Sequence, residues 1–507
     1  MFDALELLGR GVGHFLTVEA LFNVAWATLL GIVIGALPGL TATMGVALLV
    51  TLTYKMVPEQ AILCLVCMYV GAIYGGSRSA ILLNIPGTPA SAATTLDGFP
   101  LAIQGRAGYA MGIATTSSAL GTVVGIVCLA IFAPLLAELA LDFGSYEFFW
   151  LAVFGVVISG QLTAIEDPLK GYIAGILGLL AAMVGMEGIH AYQRFTFGIS
   201  ELGGGIELIP AMVGAFGFAE ILIVMKERRA AVIAKAVDRV VPRIADIWRY
   251  KRTIVRSGLI GTVVGIIPGV GEDIGAWASY AAARRTSRER DQFGKGSVEG
   301  LTAAETGNSA VVPGALIPAL TLAVPGSAAA AVLIAALFIH GVRPGPLIMI
   351  ENPQFVYQVV GMLLLSTLAI TIYGLSLTRP LLKVLTIPRE KLMPVVYVLC
   401  VVGPYAITQR LFDVYVMIFF GIVGFILREM KYPMAPLVLG IILGDLLDTN
   451  LRRGLVLTDG DPTPFFTRPI SMILCAATIL TVLLSIPALK NGTRQVFSIL
   501  RPGRSPG

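Results

Sequence analysis

Charged residues stand in clusters along this chain and leave long apolar stretches between them. Uncharged runs extend from Glu19 to Lys55, Arg106 to Glu138, Glu305 to Arg343, Glu351 to Arg379 and Arg468 to Lys490. A spanning helix needs about 20 predominantly apolar residues. Several of these runs suffice for one span, and two have room for two half-spans. The pattern predicts an all-α, polytopic membrane protein with about a dozen membrane segments.

Composition agrees. Of the 507 residues 56% are hydrophobic and 13% charged, whereas a soluble domain carries roughly 25% charged residues. The 57 glycines and 28 prolines fit membrane helices, where breakers are tolerated if neighbours or cavity water satisfy the freed backbone groups. Met1 to Arg10 carries Asp3 and Glu6 and no Lys-rich start, so the first apolar segment is expected to be retained. Cys64 and Cys67 form a CxxC inside ILCLVCMYV, a setting for apolar packing, since redox or metal use needs polar access. No HExxH, GxSxG or P-loop pattern occurs. That weighs against an intramembrane hydrolase or an ATP-driven motor, and the chain is expected not to be an enzyme.

The basic clusters predict orientation. Lys226 to Arg256 holds ten Lys/Arg and three acids, and Arg284 to Lys295 holds five and two. Both flank membrane segments, so both belong on the cytoplasmic side; bunched juxtamembrane charge is the simpler reading than a nucleic-acid face. The stretch 257–283 then begins and ends on one side. A hairpin that dips in and turns at Pro268-Gly269 meets that requirement, and irregular backbone at depth must face protein or a cavity.

The chain repeats itself. Gly31, Val33, Gly35, Pro38, Gly39 and Gly45 recur as Gly261, Val263, Gly265, Pro268, Gly269 and Gly275. Gly75, Ala80, Pro86, Gly87, Ala90, Ala92 and Phe99 recur as Gly314, Ala319, Pro325, Gly326, Ala329, Ala331 and Phe338. The expected organisation is a first repeat at 1–225, a basic loop at 226–256 and a second repeat with C-terminal helices at 257–507. Paired Gly/Pro-interrupted segments in two halves point to a transporter's binding site and to inverted repeats with re-entrant or discontinuous helices.

A Pro-Gly break exposes the N–H groups of the following half-helix, whose positive dipole end suits carboxylates. The candidate substrate contacts are therefore Pro38, Gly39, Leu40 and Thr41 in the first break and Asn84, Pro86, Gly87, Thr88 and Ser91 in the second. Pro268 and Gly269, then Pro325, Gly326 and Ser327, complete the set in the second half. Small residues also serve helix packing, so Thr88 and Ser91 stand equally open to packing and ligand contact. Acids embedded in the apolar frame are Asp97, Glu272, Asp273, Glu305, Asp445 and Asp448. An ionisable group at membrane depth is a functional hypothesis. Asp97, Glu272, Asp273 and Glu305 are the candidates for a coupling ion, although Asp97 before Gly98 could also make a turn.

The runs GALPGL (35–40), YGGSRSAILLNIPGTPASAATTLDGFPLA (74–102), FGKGSVEGLTAAETGNSAVVPGALIPALTLAVPGS (293–327) and PLVLGIILGDLLDTNLRRGL (436–455) resemble the large membrane subunit of tripartite tricarboxylate transporters. The chain departs from the family pattern at Asn308-Ser309, commonly Asn-Asn, at Pro313, commonly Gly, and at Asp445, commonly Pro. The resemblance implies a multi-pass importer of carboxylates in a bacterial inner membrane. It implies a small membrane subunit of about four spans and a periplasmic solute-binding protein as partners. It also implies symport driven by a sodium or proton gradient, with no other cofactor. A homo-oligomer is compatible with it. On this reading the four breaks converge near the membrane middle, with Asn84, Thr88, Ser91, Asn308, Ser309 and Ser327 adding side-chain donors. The rivals are an ion channel, which lacks a charged selectivity ring here, a stand-alone secondary transporter for another small organic anion, and a membrane enzyme, which lacks a catalytic constellation.

Overall fold

The computed structural model describes residues 2–37, 39–164, 167–189, 191–226, 238–378, 391 and 393–485. The described chain is all-α apart from one antiparallel pair of two-residue strands, Gly185–Met186 with Gln193–Arg194. The first half runs α1 (Phe2–His14), α2 (Val18–Ala36), α3 (Ala42–Thr53), α4 (Pro58–Leu83), α5 (Ala92–Leu101) and α6 (Ala107–Ala140). It continues with α7 (Ser145–Thr163), α8 (Pro168–Ala182), α9 (Leu208–Met212) and α10 (Ala219–Lys226). The second half runs α11 (Ile244–Arg249), α12 (Lys251–Ile266), α13 (Gly271–Thr286), α14 (Val298–Leu322), α15 (Ala328–Ile339), α16 (Ile348–Glu351) and α17 (Pro353–Ser376). Then come α18 (Met393–Thr408), α19 (Leu411–Glu429), α20 (Met434–Leu457), α21 (Pro464–Thr467) and α22 (Pro469–Ser485).

Among the described residues eight spans are long and apolar enough to cross a membrane, and five further apolar helices have only 10–17 residues. The short ones include α3 and α15, each of which starts just after a Pro-Gly break. Of the basic stretch 226–256, residues 227–237 lie outside the described ones. From Lys251 onward it is already helix α12, because Lys and Arg are good helix formers and do not stop a turn.

The chain forms two compact units, Met1–Asp142 with Ile206–Lys431 and Phe143–Gly205 with the segment from Tyr432 onward. Both halves of the sequence contribute to each unit. In the second unit α20 packs on α7 and α8. Glycines bring the backbones together there: a Cβ at Gly178 would stand 2.0 Å from the Leu437 carbonyl oxygen. Glu147 accepts a hydrogen bond from Ser471 and pairs with Arg468 at 3.0 Å.

In the first unit α4 is buried continuously from Ala61 to Leu83, and α14 from Gly300 to Leu322. A helix apolar on all sides belongs inside a bundle. Each lies parallel to a partner at glycine contact. Along α2 and α4, Gly31 faces Met68 and Gly35 faces Ala72, while Gly71 faces Thr28 and Gly75 faces Ile32. Along α12 and α14, Gly261 faces Gly307 and Gly265 faces Val311. These are G-x-x-x-G faces, whose missing side chains let backbones approach closely.

The stretch 257–283 is a helical hairpin. Ser279 Oγ donates to the Ser257 carbonyl at 3.2 Å, and Gly275 stands opposite Gly261. The chain turns at 267–270, with Gly269 at φ 73°, a conformation that glycine adopts without steric cost.

Candidate substrate and ion site

The four breaks come together in two pairs, all within the first unit. In the first half Gly87 N–H donates to the Gly76 carbonyl at 3.3 Å, and a Cβ on Gly87 would stand 2.1 Å from the Gly35 carbonyl oxygen. In the second half a Cβ on Gly326 would stand 2.0 Å from the Gly265 carbonyl oxygen. Gly269 N–H donates to Pro325 O at 3.3 Å, and Gly271 N–H to Gly326 O at 3.1 Å. The pairing employs some of the amides that the breaks were expected to leave free. The amides of Gly269 and Gly271 bond to the neighbouring break and that of Gly87 to α4, because a buried N–H must find an acceptor.

The pairs also meet each other reciprocally. Helix α3, after the first break, packs on α15, after the fourth. Helix α13, after the third break, packs on the 3-10 turn Pro89–Ser91 and on α5, which follow the second. Tyr69 on α4 ties the set: its hydroxyl shares a 2.7 Å hydrogen bond with Ser327 and neighbours the Glu272 carboxylate.

The individual candidates divide by role. Pro38 lies outside the described residues; Gly39 has φ 94°, Leu40 is buried, and Thr41 Oγ1 caps α3 by accepting from Met44 N–H. Asn84 is exposed and left-handed at φ 54°, ψ 28°, terminating α4, as Asn does readily. Pro86 follows it, half-buried, while Pro268 and Pro325 are buried. Ser91 Oγ donates to the Thr88 carbonyl at 2.8 Å, and Ser327 Oγ accepts from Ala330 N–H at 3.1 Å. Those two hydroxyls organise local turns.

Other polar groups have no such employment. Thr88 Oγ1, Ser309 Oγ and both amide atoms of Asn308 are buried without a hydrogen-bond partner. A buried polar group without a partner is costly. Pro313 has no N–H, so the Ser309 carbonyl also lacks its helical donor. The break-side hydroxyl and the middle of α14 therefore supply donors and acceptors that a ligand would satisfy.

The acids separate equally clearly. Glu305, fully buried on α14, accepts hydrogen bonds from Ser77 at 2.7 Å, from Ser118 at 2.9 Å and from Thr94. One carboxylate and three hydroxyls from α4, α5 and α6 make an oxygen-rich cluster of the kind that hard cations take. Asp97 is a loop anchor: its Oδ1 accepts from the N–H groups of Gly294, Gly296 and Ser297 at 2.8–2.9 Å. Glu272 stands beside Tyr69, and the Asp273 side chain lies outside the described ones. In the second unit Asp445 is exposed and Asp448 pairs with Arg194 at 3.0 Å and Arg452 at 3.1 Å.

Sequence reasoning missed Ser77, Arg78, Ser118 and Tyr69, and saw Thr94 only as one of the hydroxyls after the second break. Arg78 carried a signal, being an ionisable residue inside a helix otherwise apolar for many turns. Thr94 and Ser118 meet Glu305 from 211 and 187 residues away, and nothing local marks such partners.

Comparison with known proteins adds the family. The model of the tripartite tricarboxylate transporter TctA family matches residues 21–439. An uncharacterized 52.8 kDa protein in the TAR-I ttuC' 3' region of Agrobacterium vitis is 35% identical over 508 residues, covering 98% of this chain and 99% of its own length. A second uncharacterized protein of Agrobacterium vitis, in the TAR-II ttuC' 3' region, is 33% identical over 238 residues, 47% of this chain and 98% of its own length. No solved structure matches the chain.

Proposed function

The chain belongs to the tripartite tricarboxylate transporter TctA family, and from that premise we propose that it is the large permease subunit of a carboxylate importer. It takes substrate from a periplasmic solute-binding protein, works with a small membrane subunit in a bacterial inner membrane, and is driven by a cation gradient. The observation that carries this reading is the juxtaposition of two ligand chemistries on α14. Asn308 and Ser309 hold unsatisfied polar atoms, and one turn away Glu305 sits in a cage of hydroxyls. The first suits a substrate carboxylate; the second suits sodium or a proton.

The two halves are inverted repeats in this reading. Contacts between α4 and α14 support it: Ser77 meets Glu305, whereas Tyr69, earlier on α4, meets Ser327 beyond the far end of α14. Equivalent helices thus run antiparallel, as a two-fold axis in the membrane plane requires. The hairpin 257–283 is re-entrant. Single cysteines replacing Arg252 and Ser287 should both label from the cytoplasm alone, and periplasmic labelling of either one excludes a re-entrant hairpin.

Transport itself is tested in proteoliposomes holding the chain, its small subunit and a binding protein loaded with a di- or tricarboxylate. Uptake should follow an imposed sodium or proton gradient without ATP, saturate with substrate and collapse with an ionophore. Uptake that requires ATP, or that persists after the gradient is lost, overturns the reading.

A further inference from the structure

Arg78 is a charged group buried beside the Glu305 cluster, with no role assigned so far. It follows Ser77 on α4 and is 2% exposed. Its Nη2 donates to the Tyr74 hydroxyl and, at 3.2 Å, to the Gly374 carbonyl of α17. The Tyr74 hydroxyl shares a 2.7 Å hydrogen bond with Thr115 of α6. Nε and Nη1 have no partner, and none of the bonds goes to a carboxylate.

An arginine cannot shed its proton inside a protein. A permanent charge at this depth needs a balancing one. The acid of the adjoining polar cluster is Glu305, whose partner Ser77 precedes Arg78 on α4. Their two polar clusters share the same pair of helices. On α4 Ser77 serves Glu305 and the next residue is Arg78; on α6 Ser118 serves Glu305 and Thr115, one turn earlier, serves the Arg78–Tyr74 side. Asp97 lies at the level of Gly300, bound to loop amides. Arg78 is also turned away from the breaks: Gly76 and Ser79 are the α4 residues against Gly87, whereas Arg78 faces α6 and α17.

We propose that Arg78 is the fixed counter-charge of Glu305, balancing the carboxylate when the cation site is empty and leaving a net positive core when a cation binds. The net charge then favours a substrate anion at the neighbouring breaks, which links the two binding events. Arg78 is thus a positioning residue for charge, not a substrate ligand. The inference rests on the reading of Glu305 as the cation site.

The test is thermal unfolding of the purified full-length chain as sodium replaces choline at constant ionic strength, with a pH series serving where sodium is inert. Wild type should gain stability saturably. Arg78→Met removes a like charge from beside the cation, so the half-saturating cation concentration should fall by about ten- to a thousandfold, while Arg78→Lys stays near wild type. Glu305→Gln should abolish the cation effect. R78M/E305Q, with both charges removed, should fold and be more stable than R78M alone. An unchanged half-saturation in R78M, with the effect still lost in E305Q, overturns this inference and leaves the Glu305 site standing. A cation effect that survives in E305Q, or is absent from wild type, overturns the Glu305 reading and this inference with it. If R78M leaves cation half-saturation unchanged but abolishes stabilisation by citrate, Arg78 is a substrate ligand and the proposal fails. Should R78M not fold, the double variant decides: under the proposal it folds, and its failure to fold overturns it.

Discussion

The second and fourth breaks share a backbone and differ in chemistry. Asn84 and Ala323 occupy the same left-handed conformation, φ 54° with ψ 28° in one and 27° in the other. Gly87 sits on the Gly35 carbonyl as Gly326 sits on that of Gly265. Yet Thr88 keeps an unpaired hydroxyl, whereas its counterpart Ser327 caps α15 and bonds to Tyr69. The helices before the breaks diverge in the opposite sense. Glu305, Asn308 and Ser309 on α14 correspond to Val66, Tyr69 and Val70 on α4, and Ser77 and Arg78 on α4 correspond to Leu316 and Ile317 on α14. Glycine contacts hold the geometry common to the halves. Side chains then divide the labour: the first half offers hydroxyls and a cation, the second a carboxylate and an amide.

The largest effects should fall on what the breaks share. Gly87→Val and Gly326→Val each push a side chain into backbone that cannot yield, 2.1 and 2.0 Å from a carbonyl oxygen. Overpacking costs about 1–3 kcal/mol and more where backbone must move. Both variants should therefore lose most of their monodisperse, folded yield in detergent. A large loss in one with little change in the other would show that the two breaks are not equivalent scaffolds.

The next prediction separates them. Thr88→Val keeps shape and removes the unpaired hydroxyl, so it should weaken substrate affinity about ten- to a hundredfold, the worth of a hydrogen bond of roughly 1.5–3 kcal/mol to a charged group, while unfolding temperature stays near wild type. Ser327→Ala should do the reverse, costing about 1 kcal/mol of stability through loss of an N-cap and leaving affinity unchanged. Isothermal titration and thermal unfolding of the same preparations measure both quantities. Equal affinity losses in the two variants would assign the substrate to both breaks alike.

These contrasts mark what the sequence could disclose. Periodic glycines and the Pro-Gly pairs carry the backbone plan, because close approach and positive φ leave few residues to choose from, and they made the helix breaks legible. The division into two compact units was not legible, since α7 and α8 meet α20 across more than 250 intervening residues and carry ordinary apolar patterns. Of the candidate site, the sequence disclosed single residues and not their partners. Thr88, Asn308, Ser309 and Glu305 stood out as polar groups in apolar surroundings, but their partners did not. Asp97 was conspicuous for the same reason and turned out to bind the loop at Gly294–Ser297. A sequence shows that an acid is embedded; it does not show whether amides or hydroxyls surround it.

The smallest effect tests the shared conformation itself. A left-handed residue with a Cβ is strained by roughly 1–2 kcal/mol, less for Asn, whose side chain tolerates that region. Ala323 lacks that relief. Ala323→Gly should therefore raise stability by about 1 kcal/mol, whereas Asn84→Gly should change it by only a few tenths. The pair also decides what Asn84 is for. Its side chain is exposed at the end of α4, and the backbone alone accounts for Asn there. If Asn84→Gly leaves both unfolding temperature and substrate affinity where they were, the residue serves the turn. A tenfold loss of affinity at unchanged stability would instead place its amide on the substrate, because glycine preserves the left-handed turn and removes nothing but the side chain.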